Sequence, residues 1–349
     1  MGIDAGARPL TPRTDLDEDD VRVRPGRGSR PRTRRRPAHE DAVEGFVAAV
    51  ERGRYGVLVG DRTVTAMRAR ELGRRGVVVG DRVALAGDTS GAPGTLARVV
   101  RVSPRTTVLR RSADDTDPVE RVIVANADQM IIVSSLADPE PRQRFIDRCL
   151  VAAYDGGLRP LLCLTKADLA PADALLHAYS PLGIPHVVLG RPLSPARLDP
   201  LRHHLADQIS VLIGQSGVGK STLVNALIPD AARAVGTVSP VTGRGRHTSS
   251  SAVALPLPGG GWIIDTPGLR GFGLGHVAPD RVVRAFGDLL PGTAACPPGC
   301  SHVEPDCALE DWVRDQGSDP RLVARLDSLR RLLRSREGVD RADPPDSAG

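Results

Sequence analysis

The first regular pattern in the chain is a series of short apolar runs separated by glycine turns, between residues 53 and 111. The runs are rich in valine and leucine and predict short β-strands. About five such strands within roughly sixty residues predict a small closed barrel. Residues 41–52, just before it, are predicted to be a short helix or a lead-in. The clearest strand runs are residues 55–59, 76–85 and 95–102.

Beyond residue 121, apolar runs alternate with segments of helical spacing. The runs are short and almost free of polar residues, which predicts buried strands. Residues 142–154 predict a helix between two of them. This alternation is typical of a doubly wound α/β fold with a mostly parallel sheet. The predicted strands are residues 129–133, 161–164, 209–213 and 262–265.

The pattern changes again after residue 275. Residues 281–290 and 320–334 predict helices, and the second is rich in leucine and arginine. A segment dense in proline, glycine and cysteine separates them. We therefore expect a small helical domain after the α/β domain.

Composition narrows the class of protein. A chain of 349 residues, 40% apolar and 26% charged, is typical of a globular protein with two or three domains. No apolar run is as long as a membrane span, and no apolar segment follows the first residues, so we expect a cytoplasmic protein without a membrane partner. The five cysteines are too few and too clustered for a disulfide scaffold.

The charge favours a polyanionic partner, because the net charge is +5 and the pI is near 9.2. Aromatic residues make up only 3% of the chain, so arginine contacts to phosphate would have to dominate such binding. The arginine-rich residues 1–40 are predicted to be a disordered basic arm, either for RNA or simply solvated. The barrel suits an oligonucleotide-binding (OB) fold, although many small barrels bind no nucleic acid. Its arginines are Arg98, Arg101, Arg105, Arg110 and Arg111.

One loop carries the strongest chemical signal. It joins a predicted strand to a segment of helical spacing and matches the phosphate-loop pattern G-x-x-x-x-G-K-[ST]. Its glycines let backbone N–H groups converge on a polyphosphate, Lys220 can reach the β- and γ-phosphates, and the Ser221 hydroxyl can hold Mg²⁺. Of 47 Lys and Arg residues only Lys166 and Lys220 are lysine, which suggests that both are chemically required. The loop residues are Gly214, Gln215, Ser216, Gly217, Val218, Gly219, Lys220, Ser221 and Thr222.

Two further segments would respond to the γ-phosphate. Asp265 ends a predicted strand and begins D-T-P-G, so its carboxylate can hold Mg²⁺ through water, and the Gly268 N–H can contact the γ-phosphate. In the glycine-rich residues 242–250, Thr248 can supply a second hydroxyl to Mg²⁺. A loop held in this way would be ordered in one nucleotide state and released in the other.

Thr165-Lys166-Ala167-Asp168 directly follows a strand and is the predicted guanine reader. The Asp168 carboxylate can accept the N1 and N2 protons of guanine, which adenine does not offer, and the aliphatic stem of Lys166 can lie over the purine. The same four residues, taken alone, could form a helix N-cap.

These parts occur in a permuted order: guanine reader, phosphate loop, then switch segments, whereas the usual GTPase ends with the guanine reader. With the preceding barrel and the following cysteines, the chain resembles the ribosome-small-subunit-dependent GTPase A family over residues 50–335. The resemblance implies GTP and GDP as ligands, the small ribosomal subunit and its rRNA as partners, a monomer, and a role in late small-subunit maturation. The runs that carry it are G-Q-S-G-V-G-K-S-T, G-R-G-R-H-T and D-T-P-G.

The chain departs from the family in two places near the base. The reader begins with Thr165 where the family has Asn, which predicts a weaker tie to the phosphate loop. The second base-contacting loop, near residues 188–190, lacks the expected small polar residue. We therefore expect modest nucleotide affinity.

Cys296, Cys300, His302 and Cys307 lie within twelve residues and suit tetrahedral Zn²⁺. All four positions would be filled by protein, so the site would be structural. The resemblance implies a zinc site here, with both outer gaps one residue longer than in this chain.

The expected reaction is in-line attack of water on the γ-phosphate of GTP, with Lys220, Mg²⁺ and loop amides stabilising the transferred group. Leu269 stands where many GTPases orient water with Gln, so intrinsic turnover should be slow and a partner should complete the site. The resemblance implies that this partner is the small ribosomal subunit. His247 is a candidate water-orienting group; alternatively it contacts RNA or only sits in the loop.

Three functional classes fit the sequence. The first is a ribosome-activated GTPase; the second is an RNA-binding regulator that uses the nucleotide only as a conformational ligand. The third, a P-loop ATPase or kinase, is disfavoured by Asp168. The predicted organisation is a basic arm (1–40), an OB-type barrel (41–115), a circularly permuted GTPase domain (116–275), a zinc-binding domain (276–335) and a disordered tail (336–349).

Overall fold

The computed structural model describes residues 39–51, 53–72, 76–111, 121–229, 231, 252–266, 273–274, 276–304 and 306–336. All of these belong to one compact unit that begins at His39. The basic arm up to residue 38, the segment with His247 and Thr248, and Gly268 lie outside the described residues. No helix in the described part of the chain has the length and apolar character needed to span a membrane.

Five strands form the predicted closed barrel. The strand order is β1-β2-β3-β5-β4, and β4 pairs back with β1 and closes the ring. Its core is built mainly of valine, alanine and leucine side chains from all five strands, among them Val47, Val57 and Leu85, and it also includes Tyr55. The strands are β1 (Val43–Glu51), β2 (Arg54–Val59), β3 (Arg62–Arg68), β4 (Arg82–Gly87) and β5 (Ala97–Val102).

The expected helix or lead-in at residues 41–52 is wrong, because this segment is strand β1. It pairs with β2 and β4, and Ala49 also pairs with Val253 in the neighbouring α/β region. A Cβ at Gly45 would lie 2.5 Å from Val57 Cγ1, so glycine permits this close approach. Long-range pairing has overridden local propensity here.

The run at residues 76–85 is not one strand. Gly80 has a φ of +92° and lies so close to the Ala125 carbonyl that any Cβ would clash. The chain turns there, and β4 begins at Arg82. The carboxylate of Asp81 is fully buried and bonds the Arg105 guanidinium at 2.7 and 2.8 Å, which compensates its burial.

The described part of the α/β region has six strands in the order β10-β9-β8-β11-β13-β12, all parallel except β12, which is antiparallel to β13 and pairs with β1 on its other side. From β8 the chain winds outward through β9 and β10, then returns to the other side of β8 as β11. The order therefore reverses between β8 and β11, where doubly wound proteins bind ligands at the carboxyl ends of strands. The strands are β8 (Gln129–Ser135), β9 (Arg159–Thr165), β10 (His186–Leu189), β11 (Ile209–Gly214), β12 (Val253–Pro256) and β13 (Trp262–Asp265).

Strands β6 (Val108–Arg111) and β7 (Arg121–Ala125) form a separate antiparallel pair. The helices are α1 (Gln143–Gly156), α2 (Asp173–Tyr179), α3 (Pro195–Leu205), α4 (Lys220–Leu227), α5 (Pro279–Val283), α6 (Ala308–Asp315) and α7 (Pro320–Arg336).

The helix predicted at residues 281–290 is shorter than expected, because α5 ends at Val283. Turns follow, and they bury Phe286 and Leu289 while Asp288 forms two 2.8 Å bonds with Arg325 of α7. Helix α7 also packs on α1, where Arg148 of α1 donates to the Ser335 carbonyl at 2.7 Å. The C-terminal helices are thus fixed to the α/β region.

Candidate functional site

The phosphate loop lies between the end of β11 at Gly214 and the start of α4 at Lys220. Gly217 and Gly219 have φ values of +79° and +95°, which favour glycine. A Cβ at Gly214 would lie 2.5 Å from the Val133 carbonyl oxygen. The glycines of the motif are therefore required by the backbone, and the resulting loop places amides at a helix N-terminus.

Lys220 lies within this loop. Its ammonium donates to the carbonyls of Gly214 and Gln215, the latter at 2.6 Å. Burial lowers the pKa of Lys220, while the charge of Asp265 acts in the opposite direction. Burial likewise raises the pKa of Asp265, against the effect of Lys220. The two groups are electrostatically coupled across a partly desolvated site.

The end of β13 is tied to the phosphate-loop strand, because Thr266 Oγ1 donates to the Leu212 carbonyl at 3.1 Å. Asp265 is half-buried at this point. Its carboxylate and the Ser221 hydroxyl are oxygen ligands of the kind that Mg²⁺ prefers, so the residues present fit that ion.

The predicted guanine reader directly adjoins the phosphate loop. Thr165 ends β9, and its hydroxyl donates to the Val218 carbonyl at 2.7 Å. A Cβ on Gly219 would lie 4.0 Å from the same hydroxyl oxygen. Threonine in place of the family's asparagine predicts a weaker link between the reader and the phosphate loop. In the structure the shorter threonine side chain makes this link. Segments 165–168 and 214–222 meet at one edge of the sheet.

The segment after β8 also lies at this site, although no pattern of residues in it indicates such a role. Lys166 Nζ donates to the Asp138 carbonyl, and Ser135 Oγ donates to the Pro139 carbonyl at 2.6 Å. Pro139 also lies beside the phosphate loop, with its Cδ 3.4 Å from a Cβ built on Gly217. This segment therefore links the reader to the loop.

Asp168 is exposed and faces the loop after β10. Its Oδ1 accepts the Arg191 N–H at 2.8 Å. This bond is the main reason that the pKa of Asp168 lies below its usual value, with smaller contributions from the charges of Arg191 and Arg197. The carboxylate is therefore ionised at neutral pH and can accept two hydrogen bonds from the edge of a base.

The predicted zinc ligands form one cluster. One donor atom from each of Cys296, Cys300, His302 and Cys307 lies within 4.8 Å of the others. Cys296 Sγ is 3.8 Å from Cys307 Sγ and 3.6 Å from His302 Nδ1. A tetrahedron with Zn–S bonds of about 2.3 Å has edges of about 3.8 Å, so the residues present fit Zn²⁺.

The outer nitrogen of His302 faces the carboxylate of Asp280 on α5, with Nε2 and Oδ1 3.8 Å apart. A carboxylate in this position orients a metal-binding imidazole. The spacing in sequence could not have indicated Asp280, because it lies outside the cysteine-rich segment.

The barrel arginines proposed for RNA are not equivalent. Arg105 is committed to Asp81, and Arg101 lies 3.1 Å from Glu44. Arg110 lies 3.6 Å from the buried Asp155 of α1. Arg98 is exposed on β5, so it suits a surface contact better than Arg105 does.

A phosphate loop joined to a base reader that precedes it in the chain defines the class of circularly permuted P-loop GTPases. The model of the RsgA GTPase family matches residues 102–275. The "Small ribosomal subunit biogenesis GTPase RsgA" of Pseudomonas aeruginosa strain LESB58 is 40% identical over 250 residues, covering 69% of this chain and 72% of the relative. The same-named protein of Pseudomonas savastanoi pv. phaseolicola is 42% identical over 247 residues, covering 68% and 69%.

Two solved structures resemble this chain. YjeQ from Thermotoga maritima is 26% identical, with a TM-score of 0.59 over 84% of this chain and 99% of that one. YloQ, described as a circularly permuted GTPase, is 23% identical with a TM-score of 0.58, over 85% of this chain and 97% of its own, and supports the fold alone. The chain belongs to the RsgA GTPase family and is a GTP-hydrolysing enzyme.

Proposed function

We propose that this chain hydrolyses GTP to GDP and phosphate when stimulated by the small ribosomal subunit, during late maturation and release of that subunit. The observation that carries the proposal is the 2.7 Å bond from Thr165 to Val218, which joins the base reader to the phosphate loop. The names of the relatives support the choice of partner. In this proposal the chain acts as a cytoplasmic monomer.

The nucleotide would lie across the edge where the two loops meet. Asp168 would accept the N1 and N2 protons of guanine, and the stem of Lys166 would cover the ring. Lys220 would leave the carbonyls of its own loop for the β- and γ-phosphates, and the loop amides would hold the remaining phosphate oxygens. The full set of proposed nucleotide-binding residues is Thr165, Lys166, Asp168 and residues 214–222.

Ser221, Thr248 and Asp265 are the proposed Mg²⁺ ligands, and the ion would neutralise charge on the phosphates. Gly268 would sense the γ-phosphate, and His247 is the proposed water-orienting residue. The three cysteines and His302 would hold one structural zinc. Because Leu269 cannot orient water, slow turnover without a partner is part of the proposal.

Phosphate release from GTP, measured with and without purified small subunits, tests the proposal. We expect strong stimulation of the wild type and none of Lys220→Ala. Equal release with and without subunits, in a protein that binds GTP, would favour the RNA-binding regulator instead. Tighter binding of ATP than of GTP would overturn the guanine assignment. Loss of stimulation in His247→Ala, with nucleotide affinity retained, would support the role proposed for that residue.

A further inference from the structure

The end of β10 and the loop that follows it are held against the guanine reader by two contacts of their main chain. The Ala167 N–H donates to the Leu189 carbonyl at 3.1 Å, and the Arg191 N–H donates to Asp168 Oδ1 at 2.8 Å. The loop that lacks the expected small polar side chain therefore still reaches the reader, through its main chain.

The side chain of Arg197 reaches the same loop from the first turn of α3. Its Nη1 donates to the Arg191 carbonyl at 2.8 Å. The same nitrogen lies 3.5 Å from where a Cβ on Gly190 would stand. The charge of Arg197 also helps to keep the pKa of Asp168 low. One guanidinium thus contacts the loop backbone beside the ionised carboxylate.

The hydrogen-bonding edge of guanine explains why the position of the Arg191 backbone matters. N1 and N2 donate, and a carboxylate can accept both protons; the adjacent O6 accepts and requires a donor. The Arg191 N–H donates to Asp168 Oδ1 and therefore lies beside the carboxylate that would bind N1 and N2, so it is the donor that we assign to O6. A small shift of this amide would weaken the contact to O6, because hydrogen bonds depend steeply on geometry.

We propose that Arg197 is a positioning residue for guanine recognition: its bond to the Arg191 carbonyl fixes the Gly190–Arg191 backbone against Asp168. The inference rests on the proposed function, since it concerns the base of the same nucleotide. In this proposal Arg197 on α3 fixes the base-contacting loop, a role that a small polar residue in that loop would otherwise have.

The test compares GDP and ADP binding to the full chain, by calorimetry, for the wild type, Arg197→Ala and Arg197→Lys. ADP cannot use the carboxylate and the amide as guanine does, so it reports contacts of the phosphate loop. We expect Arg197→Ala to weaken GDP binding about three- to tenfold, as for one lost hydrogen bond, with ADP unchanged. Arg197→Lys keeps a donor and a charge and should recover part of the loss.

Arg202→Ala is the matched control, because Arg202 lies on the same helix and its side chain bonds only Asp199 and the Pro195 carbonyl among the described contacts. Its ratio of GDP to ADP affinity should equal that of the wild type. If Arg197→Ala does not fold, Gly190→Ala disturbs the contact from the other side, since its Cβ would lie 3.2 Å from the Asp168 nitrogen. It should lower the same ratio.

An unchanged ratio in folded Arg197→Ala, or equal losses for GDP and ADP, would overturn the inference. A wild type that does not prefer GDP to ADP would instead contradict the proposed function. The two failures are therefore distinguishable.

Discussion

The candidate zinc cluster and the proposed nucleotide site are built in opposite ways. All four candidate zinc ligands come from one short segment, and their donor atoms lie within 4.8 Å of one another. The nucleotide site joins two segments that are far apart in sequence, and the contact between them depends on parallel strands β8, β9 and β11 lying side by side. The zinc cluster is therefore a local site, which a substitution can disrupt without changing the sheet. The nucleotide site is a distributed site, because it depends on the arrangement of the sheet strands.

The largest expected effect is on the distributed site. Lys220→Ala removes the ammonium that would stabilise the transferred phosphoryl group, and we expect subunit-stimulated GTP turnover to fall at least about a hundredfold. Zinc content should not change. Phosphate release and metal analysis on the same preparation measure both. A Lys220→Ala protein with normal turnover would contradict the assignment of this loop.

Cys307→Ser should have the converse effect. Cys307 is buried, and its loss leaves three ligands, so zinc content should fall and thermal unfolding should shift down by about 5 °C or more. GDP affinity should change little. Asp306→Asn, next to the ligand but outside the cluster, is the control. Full zinc content in Cys307→Ser would show that the cluster does not hold the metal as described.

Thr165→Val tests the contact between the guanine reader and the phosphate loop. It removes the hydroxyl that donates to the Val218 carbonyl and leaves that carbonyl unsatisfied, so we expect GDP affinity to fall about tenfold. Thr165→Ser keeps the donor and should bind nearly as the wild type does. Equal affinity in the Val and Ser variants would mean that the bond does not organise the site.

The smallest expected effect is coupling between the two regions. Helix α5 contacts the zinc cluster through Asp280 and His302, and it contacts the α/β region that carries the proposed nucleotide site through a 2.8 Å bond from Arg281 to Asp155 of α1. We expect hydrogen exchange in residues 276–304 to differ between GDP and a GTP analogue, while strands β4 and β5 of the barrel serve as the unchanged reference. Identical exchange with GDP and with the GTP analogue would contradict coupling between the zinc cluster and the nucleotide site.

The same contrast explains what could be predicted from sequence. The phosphate loop and the cysteine cluster need particular side chains at fixed spacing, so their patterns were visible, and the apolar runs predicted the buried strands. Strand β1 was missed because its conformation is fixed by pairing with β2, β4 and β12 rather than by its own pattern.

The missed parts of the site act through the main chain or through distant partners. Asp138 contributes a carbonyl and Arg191 an N–H, so their side-chain types carry no signal. The role of Arg197 depends on where α3 begins relative to the loop after β10. Such residues can be found only once the sheet has brought the segments together.

The most direct test of the central claim is a change of base specificity. Xanthine carries a carbonyl where guanine has its N2 amine, so the amide of Asp168→Asn can donate to it while losing the contact to guanine. We predict that Asp168→Asn turns over XTP better than GTP, that the wild type does the reverse, and that adding Lys220→Ala abolishes both. An Asp168→Asn protein that keeps the wild-type preference for GTP would show that the two segments do not form one guanine nucleotide pocket.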